Sequence, residues 1–321
     1  CFGLVYIFVF VDGFYQYFTG FDIFGYKWDG DRLSGFFGEE KVLGSFLSRT
    51  YPFFFGLASY YSKNKFIMVF AFVGFILSDV LVVLSGDRTA AFYLLISSII
   101  IIASIRKFQL VRIFTILISS ILVYVIIINT PEVKERIYDK TVNEFQKVTE
   151  NVENNQSAIQ NNGFFQNYYF FTSTHHGYLL ASLKMFKDYP ILGIGPKLYR
   201  QVCENEMYQI NNKNHCNSHP HNTYAQLLAE TGLVTTLIIL MLWLFICFKL
   251  LIQIINKFLY SKYILSDQYV CFLTCVFITL FPLIPTGNFF GNWLNAIYYL
   301  PLGFIMYEIT KNNPNENFIS N

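Results

Sequence analysis

SHPHNTYAQLLAETGLVTTLIILMLWLFICFKL, residues 218–250, changes solvent partway along its length. The first six residues, Ser218 to Thr223, carry two histidines, a proline and an asparagine, whereas from Leu233 onward nearly every side chain is apolar. A titratable loop running straight into a segment long enough to cross a hydrocarbon core, about 20 helical residues, marks a helical membrane protein with chemistry at its surface. The rest of the chain agrees. Of 321 residues, 54% are hydrophobic and 14% charged, where soluble domains carry nearer a quarter charged. Apolar runs at 1–11, 44–60, 66–84, 89–105, 109–129, 224–250, 268–285 and 292–309 are the expected spans. The chain opens at Cys1 inside the first of these, which reads as a chain lacking earlier helices. A net charge of +2 gives no reason to expect a nucleic-acid partner.

Charge between the spans sets an expected topology. Lys63 and Lys65, Arg106, Lys107 and Arg112, Lys249, Lys257 and Lys262, and Lys311 all fall on one side if the spans alternate. By the positive-inside rule that side is cytoplasmic. The outer side then receives 12–43, the Gly86-Asp87-Arg88 turn, 130–222 and the turn near Gly287. The expected fold is therefore an all-α, polytopic transmembrane bundle with one large periplasmic, mostly helical loop. Its parts are N-terminal spans 1–129, the loop 130–222, C-terminal spans 223–310 and a cytoplasmic tail 311–321. Within the loop, 131–153 predicts an amphipathic helix, 153–162 a polar connection, and 177–187 a second amphipathic helix at the interface. Cys203 and Cys216 lie in this segment, and an extracytoplasmic setting predicts a disulfide between them. Cys247, Cys271 and Cys275 fall in apolar runs and read as small core residues.

All five histidines, His175, His176, His215, His219 and His221, lie in that one polar region. Pro220 disfavours helix before it, and either Asn222 as N-cap or a Thr223–Gln226 capping box starts the next helix. His221 then sits at a helix N-terminus, whose field favours neutral imidazole, the form a general base requires. The plainer alternative is a histidine that only caps the helix. His219 is a neighbouring substrate-binding candidate. Glu230, one acid inside the following helix, could orient His221 or a nearby arginine. Gly195-Pro196 fits a helix start, and Arg200 beyond it could bind phosphate or pair with Glu204. Arg88 sits where a span re-enters the bilayer, where guanidinium either snorkels or grips a diphosphate bidentately. Arg32 is a further outer cation with Asp31, Glu39 and Glu40 close by. A zinc site from His215, Cys216, His219 and His221 matches no common structural spacing, and neither metal nor cofactor is called for.

These residues resemble the bacterial O-antigen ligase and polymerase superfamily, membrane transferases of undecaprenyl-diphosphate-linked glycans. The resemblance rests on four stretches: His221-Asn222 followed after nine residues by Gly232; Asp188-Tyr189-Pro190-Ile191-Leu192-Gly193-Ile194-Gly195-Pro196; Ser85-Gly86-Asp87-Arg88-Thr89-Ala90; and Arg32-Leu33-Ser34-Gly35-Phe36-Phe37-Gly38. It implies a bacterial inner-membrane enzyme with a periplasmic site: an inverting, metal-independent glycosyltransferase. Arg88 would bind the diphosphate and His221 would take a proton from the acceptor hydroxyl. Lipid A core is the favoured acceptor, which makes a ligase; another lipid-linked repeat would make a polymerase, and a protein side chain an O-oligosaccharyltransferase. Many relatives carry a second arginine where this chain reads Thr174-His175-His176-Gly177, so His176 or Arg200 would take its place. A transporter of the same lipid-linked glycans is the rival class, with Asp79 as the intramembrane ionisable residue it would need.

Overall fold

The computed structural model describes residues 2–30, 32–130, 173–210 and 216–311. The helix expected at 131–153, the polar connection 153–162, His215, Asp31 and residues 312–321 of the tail lie outside the described residues. Among those described, all regular elements are helices, in the order α1 (Phe2–Thr19), a 3-10 turn (Gly35–Glu40), α2 (Leu43–Tyr60), α3 (Lys65–Leu84), α4 (Arg88–Ser104) and α5 (Gln109–Asn129). There follow α6 (Ser173–Asp188), α7 (Tyr199–Val202), a 3-10 turn (Glu206–Tyr208), α8 (Thr223–Tyr260), α9 (Asp267–Thr279) and α10 (Asn292–Lys311).

Four of these, α1, α3, α5 and α8, are long and apolar enough to cross a membrane. Their outward faces say the same thing. On α5, Leu110, Phe114, Leu117, Ile121, Tyr124 and Ile128 are exposed; on α8, Val234, Ile238, Met241, Phe245 and Phe248 are. Rows of this length exceed the apolar patch a soluble monomer tolerates, but they suit contact with lipid. The protein is a multi-pass, all-helical membrane protein. The expected span 268–285 is cut short, because α9 ends at Thr279. Pro282 and Pro285 follow within six residues and lack the N–H groups a helix needs.

The chain divides into two compact units, one of residues 1–137, 245–279 and 297–321, the other of residues 138–244 and 280–296. In the first, α2 packs on α3, α4 and α9, and α3 on α5. Small residues permit the approach: a Cβ at Gly56 would meet Cys271 Cβ at 3.0 Å, and one at Gly74 the Phe54 ring at 2.9 Å. The loop after α1 is folded back by two buried side chains of that helix. Asp12 accepts from Ile23 N, and Gln16 Oε1 accepts from Ser34 N and Gly35 N. This fixes the backbone beside Arg32, which is partly buried.

One reading of charge is corrected in this unit. Arg112 is not a cytoplasmic-turn cation but a buried side chain of α5. Its Nη1 and Nη2 donate to the two oxygens of Asp79 at 2.7 and 2.9 Å. Asp79 in turn does not stand alone. Ser119 Oγ donates to it, Ser98 Oγ accepts from Arg112, and the guanidinium lies 4.5 Å from the Tyr51 ring centre. Two charges placed in hydrocarbon persist only when paired and hydrogen-bonded, and four helices cooperate to do this.

Candidate active site

The second unit is organised around a break in α8. Gly232 has φ 71° and ψ −168°, a backbone region essentially restricted to glycine. The break frees polar backbone groups of α8, and the segment Pro190–Gly195 satisfies them. Leu233 N donates to Pro190 O at 2.8 Å, while Ile194 N and Gly195 N donate to Ala229 O and Glu230 O, each at 2.9 Å. Approach is so close that a Cβ on Gly232 would lie 2.2 Å from Ile191 O, and one on Gly193 2.4 Å from Glu230 C. Two of the motifs singled out in the sequence are thus halves of one backbone junction.

Glu230 belongs to this junction and not to the imidazoles. Its buried carboxylate accepts from Tyr199 N, at the start of α7, and from Gln226 Nε2, each at 2.9 Å. Gln226 reaches onward to Asn288 Oδ1 and Phe289 N. The expectation that Glu230 orients His221 is corrected accordingly. The helix start expected at Gly195-Pro196 is also displaced: α7 begins at Tyr199, after Lys197 in a left-handed conformation at φ 63°. Cys203 and Cys216 form a disulfide, and Met185, Tyr199, Tyr208 and Ala229 pack around it. With its sulfur so bonded, Cys216 offers no thiolate to a metal. Among the described residues no group of three or more His, Cys, Asp or Glu side chains could hold a metal ion.

The disulfide delivers the chain to the histidine loop. Asn222 is the N-cap of α8, its Oδ1 accepting from Tyr224 N and Ala225 N at 3.0 Å; the capping box at Thr223 does not form. Asn222 Nδ2 also donates to Pro282 O, and Tyr224 Oη to Leu280 O, so carbonyls left over beyond α9 are capped from α8. His221, left-handed at φ 55°, accepts at its carbonyl from Thr286 N at 2.9 Å. The imidazole lies against His219, His175 and Tyr178, with ring centres 4.1, 5.4 and 5.6 Å away. Its Nε2 is 3.1 Å from Asn217 Nδ2. His219 Nδ1 meets Ser218 Oγ at 2.9 Å. Burial is the main cause that lowers the His219 pKa to about 4; the Thr286 backbone opposes it, and His175 adds a smaller lowering effect. His219 is therefore neutral near pH 7. A hollow beside these rings is lined by His175, Leu179, Pro220, His221, Asn222 and Pro285.

The structure thus brings together His219, His221 and Asn222. Histidine at the head of α6 enters this group through His175, whose ring contacts His221, while His176 is buried. Arg200 is exposed, the second residue of α7. Arg88 and Arg32 belong to the first unit. Arg88 is exposed at the first position of α4, and Asp87 caps that helix, accepting from Thr89 N and Ala90 N at 3.1 and 3.2 Å. Sequence reasoning placed His175 in the histidine cluster without giving it a role, and passed over Tyr178 and Asn217. Tyr178 could have been found through His175, since residues three apart on a helix share a face.

Comparison with protein-family models gives a match over residues 69–240, to the family described as O-antigen ligase. No curated protein and no solved structure matches the chain.

Proposed function

The chain belongs to the O-antigen ligase family, and from that premise we propose that it moves a glycan from a polyprenyl diphosphate to an acceptor hydroxyl at the periplasmic face of the bacterial inner membrane. The observation that carries the reading is the imidazole of His221, held at the start of a membrane helix in a loop pinned by Asn222, Thr286 and a disulfide. The disulfide itself accords with an oxidising outer compartment.

In the proposed reaction the acceptor oxygen attacks the anomeric carbon opposite the diphosphate. His221 takes the hydroxyl proton, and the carbon–oxygen bond to the diphosphate breaks with its electron pair leaving on phosphate oxygen. No metal is invoked. Arg88, exposed at the N-terminus of α4, suits the leaving group twice over: its planar fork donates two parallel hydrogen bonds, and the helix end adds partial positive charge. Arg200, exposed on α7, is a further cation for the donor. General base catalysis contributes about 10²–10⁴-fold, and stabilisation of developing charge is commonly the larger effect. Lipid A core is the favoured acceptor.

The test uses a strain lacking the gene, complemented with Arg88→Ala or His221→Ala, with surface glycans read by mass spectrometry at matched membrane levels. Transfer should fall by about a hundredfold or more in His221→Ala, and at least as far in Arg88→Ala. Full transfer by Arg88→Ala would overturn its role. In the deletion strain, unattached long chains identify a ligase, and single repeats on the lipid core a polymerase.

A further inference from the structure

Three hydrogen bonds around Asn217 define which nitrogen of His221 is basic. Ser218 N donates to Asn217 Oδ1 at 2.6 Å, which turns the amide nitrogen the other way. That nitrogen then faces Tyr178 Oη at 3.3 Å and His221 Nε2 at 3.1 Å. An amide nitrogen can only donate, and it has two hydrogens for these two acceptors. Nε2 must therefore present its lone pair, and the single proton of the neutral ring lies on Nδ1.

We propose that Asn217 is a positioning residue that holds His221 as the Nδ1–H tautomer, and that its amide nitrogen occupies the place of the incoming acceptor hydroxyl, beside Tyr178 Oη. The inference rests on the glycosyl-transfer reading above and adds to it the atom that accepts the proton. When the acceptor arrives, its hydroxyl replaces the amide N–H at Nε2, and the amide remains on Tyr178. The hydroxyl proton passes to Nε2, giving an imidazolium with a proton on each nitrogen. Three features make the amide stiff. Asn217 directly follows Cys216 of the disulfide, Tyr178 is buried on α6, and the carbonyl of Tyr178 is itself held by Ser182 Oγ. Among the described residues, titratable rings that face the imidazole include His175 and Tyr178 from α6 and His219 from its own loop. The segment after α9 contributes Pro285 and Thr286, which do not titrate.

The experiment needs no substrate. Exchange of the imidazole C2 proton into heavy water, followed by mass spectrometry of the His221 peptide, gives the midpoint of its titration in the full chain in detergent. A donor at Nε2 favours the neutral ring, whereas a carboxylate in its place favours the charged one, by about 1–3 pH units for close pairs. Asn217→Asp should raise the midpoint by about one unit, and Asn217→Ala should raise it by less. A rise of less than about half a unit in Asn217→Asp overturns the proposal. Should that variant fail to insert, Asn217→Ala decides alone, and no upward movement overturns it. The two readings fail separately: full transfer by His221→Ala sinks the base, whereas an unmoved midpoint in the Asn217 variants sinks only the positioning.

Discussion

Replacing Gly232 by alanine should damage this protein more than any comparable change in an exposed helix. Two costs combine. The backbone at φ 71°, ψ −168° is one that a residue with a Cβ adopts only at a cost of about 1–3 kcal/mol. The added Cβ would also stand 2.2 Å from Ile191 O and 2.3 Å from Ile191 C. Those are backbone atoms and cannot rotate away, so the Pro190–Gly195 segment must shift as a whole. It can do so only by stretching the bonds Leu233 N to Pro190 O, Ile194 N to Ala229 O and Gly195 N to Glu230 O, each worth about 1 kcal/mol net. Together the loss is roughly 4–6 kcal/mol. Thermal unfolding of purified protein in one detergent measures it. Gly303→Ala is the control, since a Cβ there meets nothing within 4 Å and the glycine is inside α10. Gly232→Ala should lower the midpoint by on the order of 10 °C, and protease should reach 190–195 earlier. Gly303→Ala should melt at or above the wild-type temperature. If Gly232→Ala melts within about 2 °C of wild type, the junction does not hold the unit together and the reasoning fails.

Other consequences follow from burial and covalent linkage. Asp79→Ala strands the Arg112 guanidinium among four helices and should cost about 3–5 kcal/mol, while replacing both residues by apolar ones of similar size should recover most of it; equal unfolding midpoints for the single and double variants would refute this. Loss of the Cys203–Cys216 link, which closes a sequence separation of 13, should cost about 3 kcal/mol, read as the difference between reduced and oxidised melts. His219 has a folded pKa of about 4 against an ordinary 6.5, so the unfolded chain is the one that binds the extra proton. Its burial costs nothing above pH 6.5, and as pH falls towards 4 it favours unfolding by up to about 3 kcal/mol. His219→Gln should flatten that acid slope of stability, and an unaltered slope would show that His219 does not set it.

What the sequence could reveal was whatever lies in local composition. Long apolar runs announce α1, α3, α5 and α8 without knowledge of partners. The shortening of α9 was present in the letters too, in Pro282 and Pro285, but an apolar run hides a break that hydropathy does not weigh. Arg112 was miscounted because a charge tally near span ends does not see which way a side chain turns; its partner Asp79 is 33 residues earlier. Gly232 could be matched as a motif position, yet its physical reason, the crossing of Ile191, exists only once the chain has folded. Asn217 was the least legible. An asparagine in a polar loop is ordinary until Ser218 N orients its amide and Tyr178, 39 residues away, receives it.

The fate of Asp79 bears on the rival reading as a transporter. A carboxylate that couples ion movement must be open to its ion in at least one state, with oxygens available to bind it. Here both oxygens receive the terminal nitrogens of Arg112, and one also receives Ser119 Oγ. The guanidinium is held just as fully, by Ser98 Oγ on one side and the Tyr51 ring on the other. A cavity of about 250 Å³ opens beside this pair; its wall combines Val83, Leu94, Leu95, Ile116 and Val123 with Ser98, Ser119 and Ser120, and the Ser98 and Ser119 hydroxyls are already bonded to the pair. Exchange at this site would require breaking a bidentate pair in a low-dielectric surround, at a cost of several kcal/mol per turnover. The pair is therefore better understood as a clamp among α2, α3, α4 and α5. The titratable rings around His221 belong to the other unit, and the proposed proton transfer asks nothing of this pair.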